Sequence, residues 1–104
     1  MGARIEWSDH AKARLKEIWD YWNDRNGTIT FGQKLSKEIN SKLLRISAFP
    51  EAGLPCVDPS IRYVIERSYR IYYQFDNGEI QVITIWDMRR DPESLPEDLR
   101  RVGE

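Results

Sequence analysis

The stretch from Tyr69 to Pro92 constrains this chain most, because it reads as two strands joined by a turn with little conformational choice. Asn77 and Gly78, in Asp76-Asn77-Gly78, accept the positive φ angles that tight hairpin turns need. Before the turn, Tyr69, Ile71, Tyr73 and Phe75 alternate with Arg70, Tyr72 and Gln74, the period of two of a half-buried strand. After it, Ile80, Val82, Ile83, Ile85 and Trp86 form a nearly continuous β-branched run, which predicts a central strand buried on both faces. Pro92 cannot donate to a ladder and helps to end that strand just after Arg89-Arg90-Asp91. The unit is a β-hairpin that delivers a pair of arginines at its exit.

The residues before the hairpin predict helices that cover it. Ala3 to Trp7 is short and alternating and reads as a first strand. Ser8 is placed to cap a helix in which Ala11, Leu15, Ile18 and Trp22 recur at helical spacing, with Asn26-Gly27 as its left-handed stop. Thr30 and Gln33 match a reciprocal capping box, and Phe31, Leu35, Ile39, Leu43 and Ile46 mark a second amphipathic helix that Pro50 ends. Glu51 to Ser60 reads as a loop rich in Pro and Gly, and Arg62 to Arg67 as a strand turning near Arg67-Ser68. In the tail, Ser94-Leu95-Pro96-Glu97 repeats the capping-box pattern and predicts a short helix from Leu95 to Val102. The order β-α-α-β-β-β predicts one α+β domain over residues 1–104, a helical hairpin packed on one face of a small, mainly antiparallel sheet. The other face is expected to be open and kept for a partner.

Composition narrows the function classes. With 104 residues, one core without staples is expected, and the single cysteine, Cys56, excludes an internal disulfide framework. Cys56 fits a reducing compartment, and the buried tendency of free cysteine favours a plain buried apolar position. No apolar run approaches membrane-spanning length and MGARIEW has no signal-peptide core, so no membrane association and a cytoplasmic location are expected. The net charge of −1 conceals a split: nine Lys/Arg face six Asp/Glu up to Pro50, and seven face eleven from Glu51 onward. A protein that grips phosphate backbones usually carries a larger basic surplus, although a small basic patch remains open.

The side chains available for chemistry are few. The lone histidine, His10, lies in the first turn of the first helix, no His/Cys cluster exists, and neither a phosphate loop nor a Gly-flanked serine is present; no metal or cofactor is expected. What remains is arginine. Arg62, Arg70 and Arg90 fall at strand ends, with Arg89 adjoining the last. On an open face they would converge into an anion-binding patch, each guanidinium forking onto a phosphate or carboxylate. The alternative is solvated pairing with Glu66, Asp87, Asp91 and Glu93. Tyr72 shares the parity of Arg70 and is expected to stand exposed beside it as a contact residue, whereas the tryptophans with Tyr63, Tyr69 and Tyr73 are expected in the core.

Taken in order, the first strand, the helical hairpin, Phe49-Pro50-Glu51-Ala52-Gly53, Tyr69-Arg70-Ile71-Tyr72-Tyr73 and Arg89-Arg90-Asp91-Pro92 resemble the RelE/ParE superfamily of type II toxin–antitoxin systems. The likeness covers nearly the whole chain. It implies a growth-inhibiting, plasmid-stabilising toxin held by a cognate antitoxin, as a toxin–antitoxin hetero-oligomer. RelE-like members cleave mRNA on the ribosome, activating a 2′-hydroxyl and stabilising the phosphate with arginines. ParE-like members share the fold and poison DNA gyrase without the nuclease residues. By position, Arg70 and Arg90 match family arginines, and Arg62 falls where some nucleases place a basic residue. The nucleases carry further functional side chains where this chain has Val64 and Leu95, and a frequent histidine where it has Asp87. Arginine is a poor proton acceptor, and Glu66 or Asp87 would have to serve. The ParE-like reading, with DNA gyrase as target and Arg62, Arg70, Tyr72, Arg89 and Arg90 as partner contacts, is preferred. A RelE-like nuclease acting on ribosome-bound mRNA through Arg62, Arg70 and Arg90 is the alternative, and a non-toxic binding module the second.

Overall fold

The computed structural model of the chain describes residues 2–27 and 29–103. Strand β1 (Arg4–Trp7) leads into helices α1 (Asp9–Asn26) and α2 (Thr30–Ala48), then strands β2 (Leu54–Pro55), β3 (Ile61–Glu66), β4 (Tyr69–Asp76) and β5 (Glu79–Asp87). The sheet order is β1-β5-β4-β3-β2, with β1 parallel to β5 and the other neighbours antiparallel. The expected α+β arrangement is present, with one more strand than the sequence suggested. Leu54 and Pro55, read above as loop, pair with Tyr63 and Arg62 at the sheet edge, where a proline's missing donor costs no ladder bond.

Local chemistry sets the helix ends. The Ser8 hydroxyl oxygen accepts from the Ala11 amide at 3.0 Å, and its hydroxyl donates to the Ile83 carbonyl at 2.9 Å, so one side chain starts α1 and ties it to β5. Gly27 closes α1 at φ 66°, where a Cβ is disfavoured. The capping box expected at Thr30 is not the device used for α2: Ile29 occupies the cap position, already helical, with no side-chain cap hydrogen bond.

The long β5 reconciles its continuous apolar run with a period of two through a bulge. Tyr72 pairs with Thr84 and Tyr73 with Val82, so Ile83 is the extra residue. The bulge lets both Val82 and Ile85 face the helices, where they pack with Ala11, Ile18, Leu35, Ile39, Leu43, Tyr69 and Ile71.

The opposite face is not open. Cys56, Ile61, Tyr63, Tyr72 and Leu95 form a second buried cluster there, with Ile83, Trp86 and Leu99 against it. Leu95 and Leu99 come from the tail, which is not the predicted helix but two short 3₁₀ turns, Pro92–Ser94 and Glu97–Leu99. The tail is strapped down by backbone bonds from Val57 to the Arg100 carbonyl (2.8 Å) and from Asp58 to the Asp98 carbonyl (3.1 Å). Pro96 interrupts the helical ladder between the two leucines, and burying them against the sheet supplies the stability a helix would otherwise give.

Candidate functional site: an arginine groove at the exit of the last strand

The two-residue turn at Arg67-Ser68 sets the register of β3 on β4: Glu66 lies opposite Tyr69, Ile65 opposite Arg70, Tyr63 opposite Tyr72 and Arg62 opposite Tyr73. Side chains directly across an antiparallel pair share a face. Arg62 therefore lies on the helix side of the sheet with Tyr73, and Arg70 on the tail side with Tyr63. The expected convergence of Arg62 with Arg70 and Arg90 does not occur. Instead Arg62 Nη1 donates to the carbonyls of Gly53 (2.7 Å) and Glu51 (3.2 Å) and holds the loop before β2.

Arg70 and Arg90 do come together. Both line a groove of about 460 Å³ between the end of β5 and the tail, with Trp86, Met88, Glu93, Leu95 and Arg100. Trp86 is the cross-strand neighbour of Arg70, and the Arg90 guanidinium stacks over the Trp86 ring at 5.2 Å. Arg70 stacks over Tyr63 at 4.7 Å and donates to the Tyr72 hydroxyl at 3.4 Å. Stacking holds the exposed Arg90 guanidinium by its face and leaves its edge N–H groups directed sideways, the geometry that recognises a carboxylate or phosphate. Arg100, which the sequence did not single out, lines the same groove and donates to the Leu95 and Glu93 carbonyls at 3.3 and 3.4 Å. The groove thus brings together three guanidinium groups and one carboxylate, Glu93, over an apolar floor.

Tyr72 is not the exposed contact expected beside Arg70. It is fully buried under the tail, and burial raises its hydroxyl pKa above the ordinary value. Its role is to support Arg70 from below.

Arg89 turns away from the groove towards α1. Its guanidinium forks onto Asp87 (Nη2–Oδ2 2.8 Å, Nε–Oδ1 3.0 Å), and Asp87 Oδ1 also accepts the Arg89 backbone amide at 2.9 Å. That hydrogen-bonded pairing holds the Asp87 carboxyl below its usual range and raises the Arg89 pKa. The guanidinium also lies 5.2 Å from the Trp22 ring, whose indole N–H donates to the Tyr69 hydroxyl at 2.7 Å. Arg89, Asp87, Tyr21 and Tyr69 border a second hollow of about 470 Å³, and Arg90 borders both hollows.

Neither carboxylate considered as a proton acceptor lines the groove of Arg70 and Arg90, although Asp87 borders the second hollow with Arg90. Asp87 is tied to Arg89, and Glu66 lines a cleft beside α2. Among the described residues, no helix is long and apolar enough to cross a membrane.

A helical hairpin on this mixed sheet, with arginines gathered where the last strand ends, defines a RelE/ParE-type fold. Residues 5–92 match the family model described as the ParE toxin of the type II toxin–antitoxin system parDE. The chain is 32% identical over 94 residues to Toxin ParE1 of Mycobacterium tuberculosis, found in two strains, covering 88% of this chain and 95% of that relative. A solved chain described as a chromosomal ParDE TA system from P. aeruginosa superposes with a TM-score of 0.67 at 21% identity, covering 80% of this chain and 92% of that one. The chain belongs to the ParE toxin family of type II toxin–antitoxin systems.

Proposed function

We propose that this ParE-type toxin binds DNA gyrase and blocks its strand-passage cycle. In this reading Arg70, Arg89 and Arg90 contribute to contacts at the end of the sheet. A cognate antitoxin neutralises the toxin in a hetero-oligomer, the whole chain acts as one toxin domain, and its place of action is the cytoplasm, where gyrase works. The observation that carries the choice of gyrase over mRNA is the placement of the side chains. A phosphodiester-cleaving site needs a proton acceptor beside its cationic clamp. Here the expected three-arginine clamp is incomplete, because Arg62 lies on the opposite sheet face; Asp87 is held by Arg89 and Glu66 stands near α2, so Glu93 is the one carboxylate left in the groove. What remains at Arg70, Arg90 and Arg100 is a rigid cationic surface with aromatic support, suited to anchoring acidic side chains of a partner.

The test is a gyrase supercoiling and DNA-cleavage assay with the purified chain. Inhibited supercoiling, or accumulated cleaved DNA, is expected, and Arg70→Ala combined with Arg90→Ala should weaken inhibition about tenfold or more. Untouched supercoiling together with codon-specific breaks in translated mRNA would establish the nuclease reading instead. Harmless expression in a bacterial host would favour a binding module.

A further inference from the structure

The second hollow, of about 470 Å³, lies between α1 and the place where β4 starts and β5 ends. Arg14, Ile18 and Tyr21 line it from α1, their i, i+4, i+7 spacing keeping them on one helix face. Tyr69 and Asp87, directly opposite each other in the β4–β5 pair, line it from the sheet. Tyr69 is the unusual group. It is 2% exposed, and its hydroxyl oxygen accepts from the Trp22 indole N–H at 2.7 Å and from Arg89 Nη2 at 3.5 Å. Two accepted bonds use both lone pairs and leave the O–H proton, the one donor a tyrosine has. Burial raises the hydroxyl pKa, so that proton stays on at neutral pH. Among the described residues, no acceptor takes it. A buried donor is costly to leave unpaired, so the hollow is where its acceptor must come from.

The charges around the hollow define that acceptor. Arg14, Arg89 and Arg90 face Glu17 and Asp87, three cations against two anions. Arg14 pairs with Glu17 at 2.8 Å, and Arg89 with Asp87 at 2.8 Å. Arg90 carries the surplus. Among the described residues, no carboxylate lies within ion-pair distance of it; it acts on Asp87 only from farther off, and its face rests on Trp86. The hollow is therefore short of one negative charge, and offers that charge a neutral O–H donor and a guanidinium edge.

We infer that this hollow seats a single carboxylate side chain, an aspartate or glutamate on the surface of gyrase, hydrogen-bonded by the Tyr69 hydroxyl and paired with Arg90. The inference rests on the gyrase reading and deepens it, because it names the group of the partner that this end of the sheet recognises. A lone side-chain carboxylate brings one charge, which matches the deficit. A nucleic-acid strand brings a phosphate with every nucleotide, and Glu17 and Asp87 would stand against the phosphates on either side. Tyr21, 46% exposed beside the hollow, offers its ring to the methylene groups that carry the carboxylate. Tyr69 thus serves the core through its ring and the partner through its hydroxyl.

The measurement is the affinity of the whole toxin for gyrase by surface plasmon resonance, run beside the supercoiling assay. Tyr69→Phe keeps the ring and should weaken binding about tenfold or more, the loss expected for a donor to a charged acceptor. It also breaks the bond to Trp22. Trp22→Phe breaks that bond from the other side and keeps the hydroxyl in the hollow, so it should stay within about twofold of the parent. Both variants should lower Tm, and only Tyr69→Phe should weaken binding. Glu17→Gln, at an exposed position, removes a like charge and should tighten binding about twofold. A parent chain that neither binds nor inhibits gyrase removes the gyrase reading and this inference together. With a parent that inhibits, the inference alone falls on any of four results: Tyr69→Phe binds as the parent does, Trp22→Phe weakens binding as much as Tyr69→Phe, Glu17→Gln weakens it, or the toxin without gyrase retains a DNA duplex in a Tyr69-dependent way.

Discussion

Tyr73→Phe should destabilise the protein by about 2 kcal/mol, because a single oxygen fixes the loop that carries the sheet edge. Tyr73 is 1% exposed, and its hydroxyl accepts from the Gly53 amide at 3.0 Å and donates to the Pro50 carbonyl at 2.7 Å. Phenylalanine keeps the ring and its packing and removes only the oxygen. The Pro50 carbonyl is half-buried and can turn to water. The Gly53 amide cannot, since Gly53 is buried and the Tyr73 ring stands directly against it, where a Cβ on Gly53 would already collide with the hydroxyl and lie 2.7 Å from Cε1. A buried donor left without an acceptor costs about 1–3 kcal/mol, which sets the size of the effect. At about 4 °C per kcal/mol for a domain of this length, Tm should fall by about 8 °C. Urea unfolding followed by tryptophan fluorescence should show a lower midpoint with unchanged slope, since the exposed surface of the unfolded chain is the same. Arg62 holds the same loop through the Gly53 and Glu51 carbonyls, so Tyr73→Phe and Arg62→Met should be non-additive by about 0.5 kcal/mol or more. A loss under about 0.5 kcal/mol for Tyr73→Phe would refute this account of the loop.

Three other perturbations test other parts of the molecule. Asp87 has its carboxyl pKa lowered in the fold from 3.8, so the folded state binds fewer protons there; its stabilising contribution is complete above the unfolded value and is lost as pH falls through the lowered one. Asp87→Asn should remove that part of the acid dependence, read as a flatter urea midpoint across the acid limb. Burial raises the hydroxyl pKa of Tyr69, Tyr72 and Tyr73 from 10.0, so their contribution is complete below that pH and is lost as pH rises beyond it. Their phenolate absorbance should appear together with loss of the folded state, and tyrosines that all titrate while the fold persists would contradict the burial described here. Leu95→Ala should cost about 2–3 kcal/mol if the tail stays seated. Hydrogen exchange should show the Val57 and Asp58 amides, which hold the tail, losing protection before those of β4 and β5.

Where the sequence spoke through local rules, it was legible. Ser8 and Gly27 bound α1 because a cap and a left-handed stop each depend on a single residue and its immediate neighbours. The turn at Asn77-Gly78, both at positive φ, is equally local. The tail was illegible for the opposite reason: Leu95 and Leu99 are four apart, as on a helix, but their partners are Tyr63, Tyr72 and Trp86, which only the assembled sheet brings to them. The same tail buries Tyr72, which strand parity alone placed on an exposed face, and brings Arg100 into the groove.

Arg62 is the instructive case, because its true position was encoded and depends on one step of reasoning. A two-residue turn at Arg67-Ser68 sets Glu66 against Tyr69, and each step back along β3 is then a step forward along β4. Arg62 must fall opposite Tyr73, whose parity is that of the helix-facing Tyr69 and Ile71, while Arg70 falls opposite Ile65 on the other face. Reading each strand by its own period gives two alternations without their relative phase; the turn supplies the phase. That phase divides the arginines between a structural role, Arg62 on the loop carbonyls, and a surface role, Arg70 and Arg90 stacked on Tyr63 and Trp86. Moving the register by one residue would bring Arg62 to the face of Arg70 and empty the helix-facing core of Val64, so the packing of the sheet and the composition of the groove are fixed by the same turn.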